Sequence, residues 1–190
     1  MAGFVDEFMK TYGSKVSKDL SKSTGISKGI LKQLIPQVAP LILGGLKKQK
    51  DNHGGNNRID HILNKYGSAG VLDNLAGLFN SKSRESSPDP GLGGLLGNSG
   101  IEASNQIASK FNIDSGLAMK LIPMLAPVIL GALTKKKSQS NVGSGGIGAL
   151  LDQDGDGNIL DDVAGLILGG GKKSSGGLIG GLLGGLLGKK

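Results

Sequence analysis

Leu34-Ile-Pro-Gln-Val-Ala-Pro-Leu-Ile-Leu-Gly-Gly-Leu-Lys-Lys-Gln-Lys50 recurs as Leu121-Ile-Pro-Met-Leu-Ala-Pro-Val-Ile-Leu-Gly-Ala-Leu-Thr-Lys-Lys-Lys137. Laying Pro36 over Pro123 sets an offset of 87, and Ile26/Ile113, Gly29/Gly116, Pro40/Pro127 and Gly44/Gly131 fall into register. One residue further, at an offset of 88, VLDNLAGLF (71–79) lies over ILDDVAGLI (159–167), and Ile59 and Leu63 lie over Ile147 and Leu151. Each copy closes on a Ser-rich link and then a Gly-Leu run, GLGGLLG (91–97) or GGLIGGLLGGLLG (176–188). Self-similarity at a fixed period marks a duplicated structural unit. The duplication divides the chain into a helical module at 1–80, a Ser/Pro/Gly linker at 81–100, a second module at 101–168 and a Gly/Leu/Lys-rich tail at 169–190.

Within a module the apolar pattern is helical. Phe4, Phe8, Tyr12 and Val16 recur every four residues, which predicts one amphipathic first helix; Ile101, Ile107, Ala108 and Phe111 take that place in the second copy. Ser27 and Asp114 are the expected N-caps of the second helix, since a short oxygen side chain accepts from its unpaired amides. That helix then meets prolines four apart, and each removes a donor and crowds the preceding turn, so a kink or a break and restart is expected. Its apolar positions run nearly all round, which suits the centre of a bundle. Asp73 and Asp161 are expected to cap a short helix carrying Leu75, Ala76 and Leu78, or Val163, Ala164 and Leu166. No segment alternates with period two. The fold class is all-α: two tandem small helical modules joined by Gly-rich links.

Composition narrows the chemistry. The 190 residues include 35 Gly, no Cys, no Trp, two Tyr and four Phe. Without cysteine there is no disulfide framework, thiolate zinc site or Cys nucleophile. The net charge of +7 is concentrated early, with nine Lys against three acids in residues 1–50. Lys10, Lys15, Lys18, Lys22, Lys28 and Lys32 form a candidate anion-binding face for nucleic acid. The lysines at 47–50 and 135–137 follow apolar runs and read as C-terminal complements of a helix dipole. The N-terminal stretch lacks the basic and apolar regions of a signal peptide. The longest uncharged apolar runs are shorter than the ~20 residues that cross a bilayer. A cytoplasmic address with no transmembrane span is therefore expected.

The sharpest chemical motif is Asp152-Gln-Asp-Gly-Asp-Gly-Asn158, followed by Ile159. It matches the opening of an EF-hand-type calcium loop, with carboxylates at positions 1, 3 and 5, glycine at 6, a backbone carbonyl at 7 and an aliphatic residue at 8. Ca²⁺ takes six to eight hard oxygens, and alternate acids around a tight glycine turn converge on one centre. Position 12, normally a bidentate Glu, is Val163. With Asp161 read as a cap like Asp73, Asp162 is the better additional ligand. The candidate metal set is Asp152, Asp154, Asp156, Asn158 and Asp162, with Ca²⁺ as the expected cofactor.

Other signals fail. Gly143-Ser-Gly-Gly-Ile-Gly148 satisfies GxGxxG but follows a polar stretch rather than a strand. GGGKKSS (169–175) lacks the spacing of a P-loop. His53 and His61 have no evident nucleophile or ligand pairing, so no enzymatic activity is expected. In the tail, Gly177, Gly181 and Gly185 are four apart, as are Gly180, Gly184 and Gly188. That spacing suits a flexible tether, helix self-association through small residues, or contact with a membrane surface. An unidentified protein partner or a second copy of the chain is the expected partner.

Together the paired Leu-Ile-Pro-x-x-Ala-Pro-x-Ile-Leu-Gly segments, the LDxxAGL helices, DQDGDGNILDD and the Gly-Leu tail resemble the bacterial YidB-like family, largely a domain of unknown function. The resemblance covers almost the whole chain. It implies a small helical fold with a homeodomain-like helix arrangement and no enzymatic activity, and it carries over no catalytic residue. The resulting expectation is a non-catalytic bacterial interaction or structural protein with a calcium-binding loop. The alternatives are a nucleic-acid-binding protein using the basic first module and a membrane-associated assembly factor using the tail.

Overall fold

The computed structural model of the chain describes residues 3–85 and 98–140. They form α1 (Phe4–Thr11), α2 (Gly13–Thr24), α3 (Lys28–Asn52), α4 (Gly55–Tyr66), a 3-10 turn (Ala69–Leu72), α5 (Leu75–Arg84), α6 (Asn98–Phe111) and α7 (Ser115–Ser140), with no strand among the described residues. The all-α class follows directly.

The four-residue period at the N-terminus spans two helices rather than one. Tyr12 carries a φ of −117° and separates α1 from α2. Its amide still donates to the Phe8 carbonyl at 2.7 Å, so the apolar stripe continues across the joint. Phe4, Phe8, Val16 and Leu20 are buried along it, and the Phe4–Phe8 and Phe8–Tyr12 rings lie 6.2 and 5.7 Å apart, within the range of favourable aromatic pairs. Gly25, at φ 75°, ends α2 in the left-handed conformation that glycine adopts without a Cβ penalty.

Both expected caps of the long helices form. Ser27 Oγ accepts from Ile30 N at 3.3 Å, and Asp114 Oδ1 accepts from Leu117 N at 2.9 Å. The prolines do not interrupt either helix: α3 runs 25 residues through Pro36 and Pro40, and α7 runs 26 through Pro123 and Pro127. In α3, Pro36 deprives the Lys32 carbonyl of its partner, but Lys32 is exposed and water can replace the missing donor.

Every residue from Leu121 to Leu133 is buried, making α7 the centre of the bundle. It packs against α3, α4, the 3-10 turn, α5 and α6. The described parts of the two repeat copies therefore share one hydrophobic core, running from Phe4 and Phe8 through Leu34, Ile42 and Phe79 to Leu121 and Leu133. The repeat boundaries are units of sequence; the core crosses them. Helices α3 and α7 are long and apolar enough to cross a membrane by length and composition, and more than half of each apolar stretch is buried in this core.

Three local expectations are corrected. The cap of α5 is Asn74, whose Oδ1 accepts from Gly77 N at 3.0 Å, while Asp73 closes the preceding 3-10 turn. On α5 the core residues are Leu75 and Phe79, with Ala76 exposed. On α6 it is Ala103, Ile107 and Ala108 that are buried, whereas Ile101 is 55% exposed. Ile101 sits six residues from Ile107, off the helical face that Ala103 and Ile107 share at a spacing of four.

Candidate functional site

The first copy closes onto α7 at a glycine seam. A Cβ on Gly131 would stand 2.7 Å from the Ser68 carbonyl oxygen and 2.9 Å from Val71 Cγ2. From the other side, a Cβ on Gly67 would stand 3.0 Å from Thr134 Oγ1 and 3.1 Å from the Leu130 carbonyl. These backbones approach closely because neither position has a side chain. Thr134 Oγ1 is buried at the seam without a hydrogen-bond partner among the described residues.

Beyond the seam, the lysine cluster at the end of α7 reaches back to the first copy. Lys136 pairs with Glu7 of α1, Lys137 pairs with Asp60 of α4 at 2.7 Å, and the Lys135 ammonium lies 5.9 Å from the centre of the Tyr12 ring. The lysine run that complements the helix dipole thus also ties the end of α7 to α1 and α4 of the first copy. Such partly exposed pairs fix orientation more than they stabilise, at about 0–1 kcal/mol each. Between α1 and this end of α7 lies an open groove of about 210 Å³, walled by Phe4, Thr11, Tyr12, Lys135 and Gln139 and bridged by the Glu7–Lys136 pair. A smaller hollow of about 30 Å³, room for roughly one water, lies between Gln37 and Leu41 of α3 and Gln106 and Lys110 of α6.

All six lysines of the candidate anion face are exposed. Lys15, Lys18 and Lys22 share one side of α2, opposite the buried arc of Val16, Ser17 and Leu20, as spacings of three and four require. Lys28 and Lys32 lie one turn apart on α3, which packs against α2, and Lys10 lies on α1. Lys15 Nζ is partly engaged, donating to the Leu72 carbonyl at 3.0 Å.

The calcium-loop candidates Asp152, Asp154, Asp156, Asn158 and Asp162 lie outside the described residues, as do GxGxxG at 143–148, GGGKKSS and the Gly-Leu tail. In the first copy, the residue that caps α5 is Asn74, not Asp73. Among the described residues no three His, Asp or Glu side chains are grouped to hold a metal. His53 ends α3 and His61 sits on α4, both exposed.

A family model described as a bacterial protein of unknown function (DUF937) matches residues 6–136 and again 127–190. The chain belongs to that family. The second match of the DUF937 pattern falls on the latter half of the second copy, in keeping with the internal duplication. No curated protein and no solved structure matches the chain. The homeodomain-like arrangement implied by the resemblance therefore has no structural relative to support it.

Proposed function

We propose that this DUF937 member is a non-catalytic interaction protein: a helical body that presents its surface to a partner and carries a calcium-binding loop at 152–158. The observation that carries the reading is the placement of Asp152, Asp154 and Asp156 at alternate positions around Gly157, a donor set of hard oxygens suited to Ca²⁺. In the described body, Asn74, Ser27 and Asp114 each cap their own helix, and Lys136 and Lys137 join the two copies. The test is thermal unfolding of the full chain with millimolar CaCl₂, MgCl₂ or EDTA. A ligand that binds only the folded state raises the melting temperature by mass action. Calcium is expected to raise it and Asp154→Ala to abolish the rise; an unchanged melting temperature at millimolar Ca²⁺ refutes the ligand reading.

The exposed lysine face supports a second reading, binding to nucleic acid. Titration of a labelled DNA duplex at two salt concentrations tests it, because phosphate contacts release counterions and make affinity fall steeply with salt. Weakening by Lys15→Ala, Lys18→Ala and Lys22→Ala combined is expected on this reading. Absence of binding even at low salt removes it.

A further inference from the structure

At the repeat offset of 87, α6 lies over residues 11–24 of the first copy, a range that contains all of α2. The two helices turn the same positions inward. Val16, Ser17 and Leu20 are buried on α2, and their counterparts Ala103, Ser104 and Ile107 are buried on α6. Each packs on the long helix that follows it, α2 on α3 and α6 on α7. What holds them there differs. We propose that α6 is a strap that lifts from the bundle as one unit, turning about Asn112, while α1–α5 and α7 stay folded. Its counterpart α2 comes away only when the whole core unfolds.

The inward face of α6 is thinner. Val16 and Leu20 of α2 are both wholly buried, whereas α6 buries a single large apolar side chain, Ile107. Ala103 stands in the place of Val16, Phe111 is half-buried and Ile101 is exposed. Stabilisation by burial scales with the apolar area removed from water, so α6 gains less by closing. Its neighbours are also fewer. Helix α2 is held by α1 and α5 as well as α3, and Lys15 Nζ donates from it to the Leu72 carbonyl at 3.0 Å. Among the described residues α6 packs chiefly on α7 and α3, and no side-chain hydrogen bond or ion pair crosses from it to either. The Ser104 hydroxyl donates within its own helix, to the Gly100 carbonyl at 2.8 Å.

The seam between α6 and α3 is incompletely filled. The hollow of about 30 Å³ lies there, among Gln37, Leu41, Ala103, Gln106, Ile107 and Lys110. A gap of this kind deprives its lining of van der Waals partners on one side. The turn that ends α6 carries a further difference. Asn112 has a φ of 50° and is the one non-glycine at positive φ among the described residues; its counterpart is Gly25, at φ 75°. Glycine enters the left-handed region without a Cβ penalty, and asparagine is tolerated there against a small one. Only Asn112, Ile113 and Asp114 separate α6 from α7, so a change in the backbone of Asn112 swings the whole helix. Lifting the strap uncovers Leu41 of α3 and the side of α7 that α6 covers, and this apolar surface is presented only in the open state.

Native-state amide hydrogen exchange of the full chain, followed through low urea concentrations, measures the opening helix by helix. The slowest α6 amides are expected to exchange about tenfold or more faster than the slowest α2 amides. They are expected to share one urea slope, above zero but below that of α2, because lifting one helix exposes less surface than unfolding the core. Val16→Ala supplies a second readout. It removes a contact of α2 that lifting α6 leaves intact, so it speeds the slowest α2 and α3 amides several-fold and leaves those of α6 within about twofold of the native rate. The proposal is overturned if α6 and α2 share one rate and one slope, or if Val16→Ala speeds both helices alike. It is equally overturned if the α6 amides show no urea slope, the mark of fraying residue by residue. Should Val16→Ala fail to fold, the rates and slopes of the native chain decide.

Discussion

Replacing Gly131 by alanine sets two calculable effects against each other. Within a helix, Gly→Ala is normally stabilising by up to about 1 kcal/mol, because glycine loses more backbone freedom on folding. At Gly131, the new Cβ would stand 2.7 Å from the Ser68 carbonyl and 2.9 Å from Val71 Cγ2. The carbonyl belongs to the backbone of the closing segment and cannot swing aside, so the seam must open or the helix must move. Overpacking of this kind costs about 1–3 kcal/mol, which cancels or exceeds the propensity gain and leaves a net loss of about 0–2 kcal/mol. Gly29 on α3 is the matched comparison, since a Cβ there meets nothing within 4 Å. Gly29→Ala is expected to stabilise by about 0.5 kcal/mol, somewhat below the helix-interior value because it lies in the first turn. Urea unfolding followed by far-ultraviolet circular dichroism gives both values from shifts in midpoint at constant slope. If Gly131→Ala stabilises as much as Gly29→Ala, the close approach of the two backbones is not a feature of the folded protein.

Further outcomes follow from the same contacts. Asn74→Ala, measured by the same unfolding assay, is expected to cost about 1 kcal/mol through loss of the bond to Gly77 N, whereas Asp73→Ala costs much less. Phe79 is fully buried where α5 meets the core, so Phe79→Ala is expected to lose about 3–5 kcal/mol of unfolding free energy. Glu7→Gln removes one partner of a partly exposed pair. Its unfolding free energy is expected to change by less than about 1 kcal/mol, with the change diminishing at high salt.

Much of the fold was legible because helical periodicity states which residues seek burial. The Phe4–Phe8–Val16 stripe, the caps at Ser27 and Asp114 and the all-round apolarity of Leu121–Leu133 all reappear in the structure. Periodicity does not state against what a face is buried. A helix apolar all round fits the centre of its own module or the centre of the whole bundle equally well, and α7 takes the second role. The same limit explains Asp73 and Asn74: adjacent residues are both good caps, and which one serves depends on where the preceding 3-10 turn ends. The tie made by Lys136 and Lys137 was invisible for a related reason, since their carboxylate partners lie more than 70 residues away in sequence. Of the candidate sites, the lysine face was legible because a stripe of spacing three and four on a helix is local. The acidic loop is also local, and its donor pattern is legible without any fold at all.

The central structural claim is that the two copies share one core around α7 and unfold as one. Native-state amide hydrogen exchange measures this directly, because each helix reports the free energy of the opening that exposes it. The account predicts that the slowest amides of α3, α4 and α5 in the first copy and of α7 in the second exchange at one common limiting stability, which Gly131→Ala lowers for all four helices together. Two separate limiting stabilities, one for the first copy and one for α7, with Gly131→Ala affecting only the second, would contradict it.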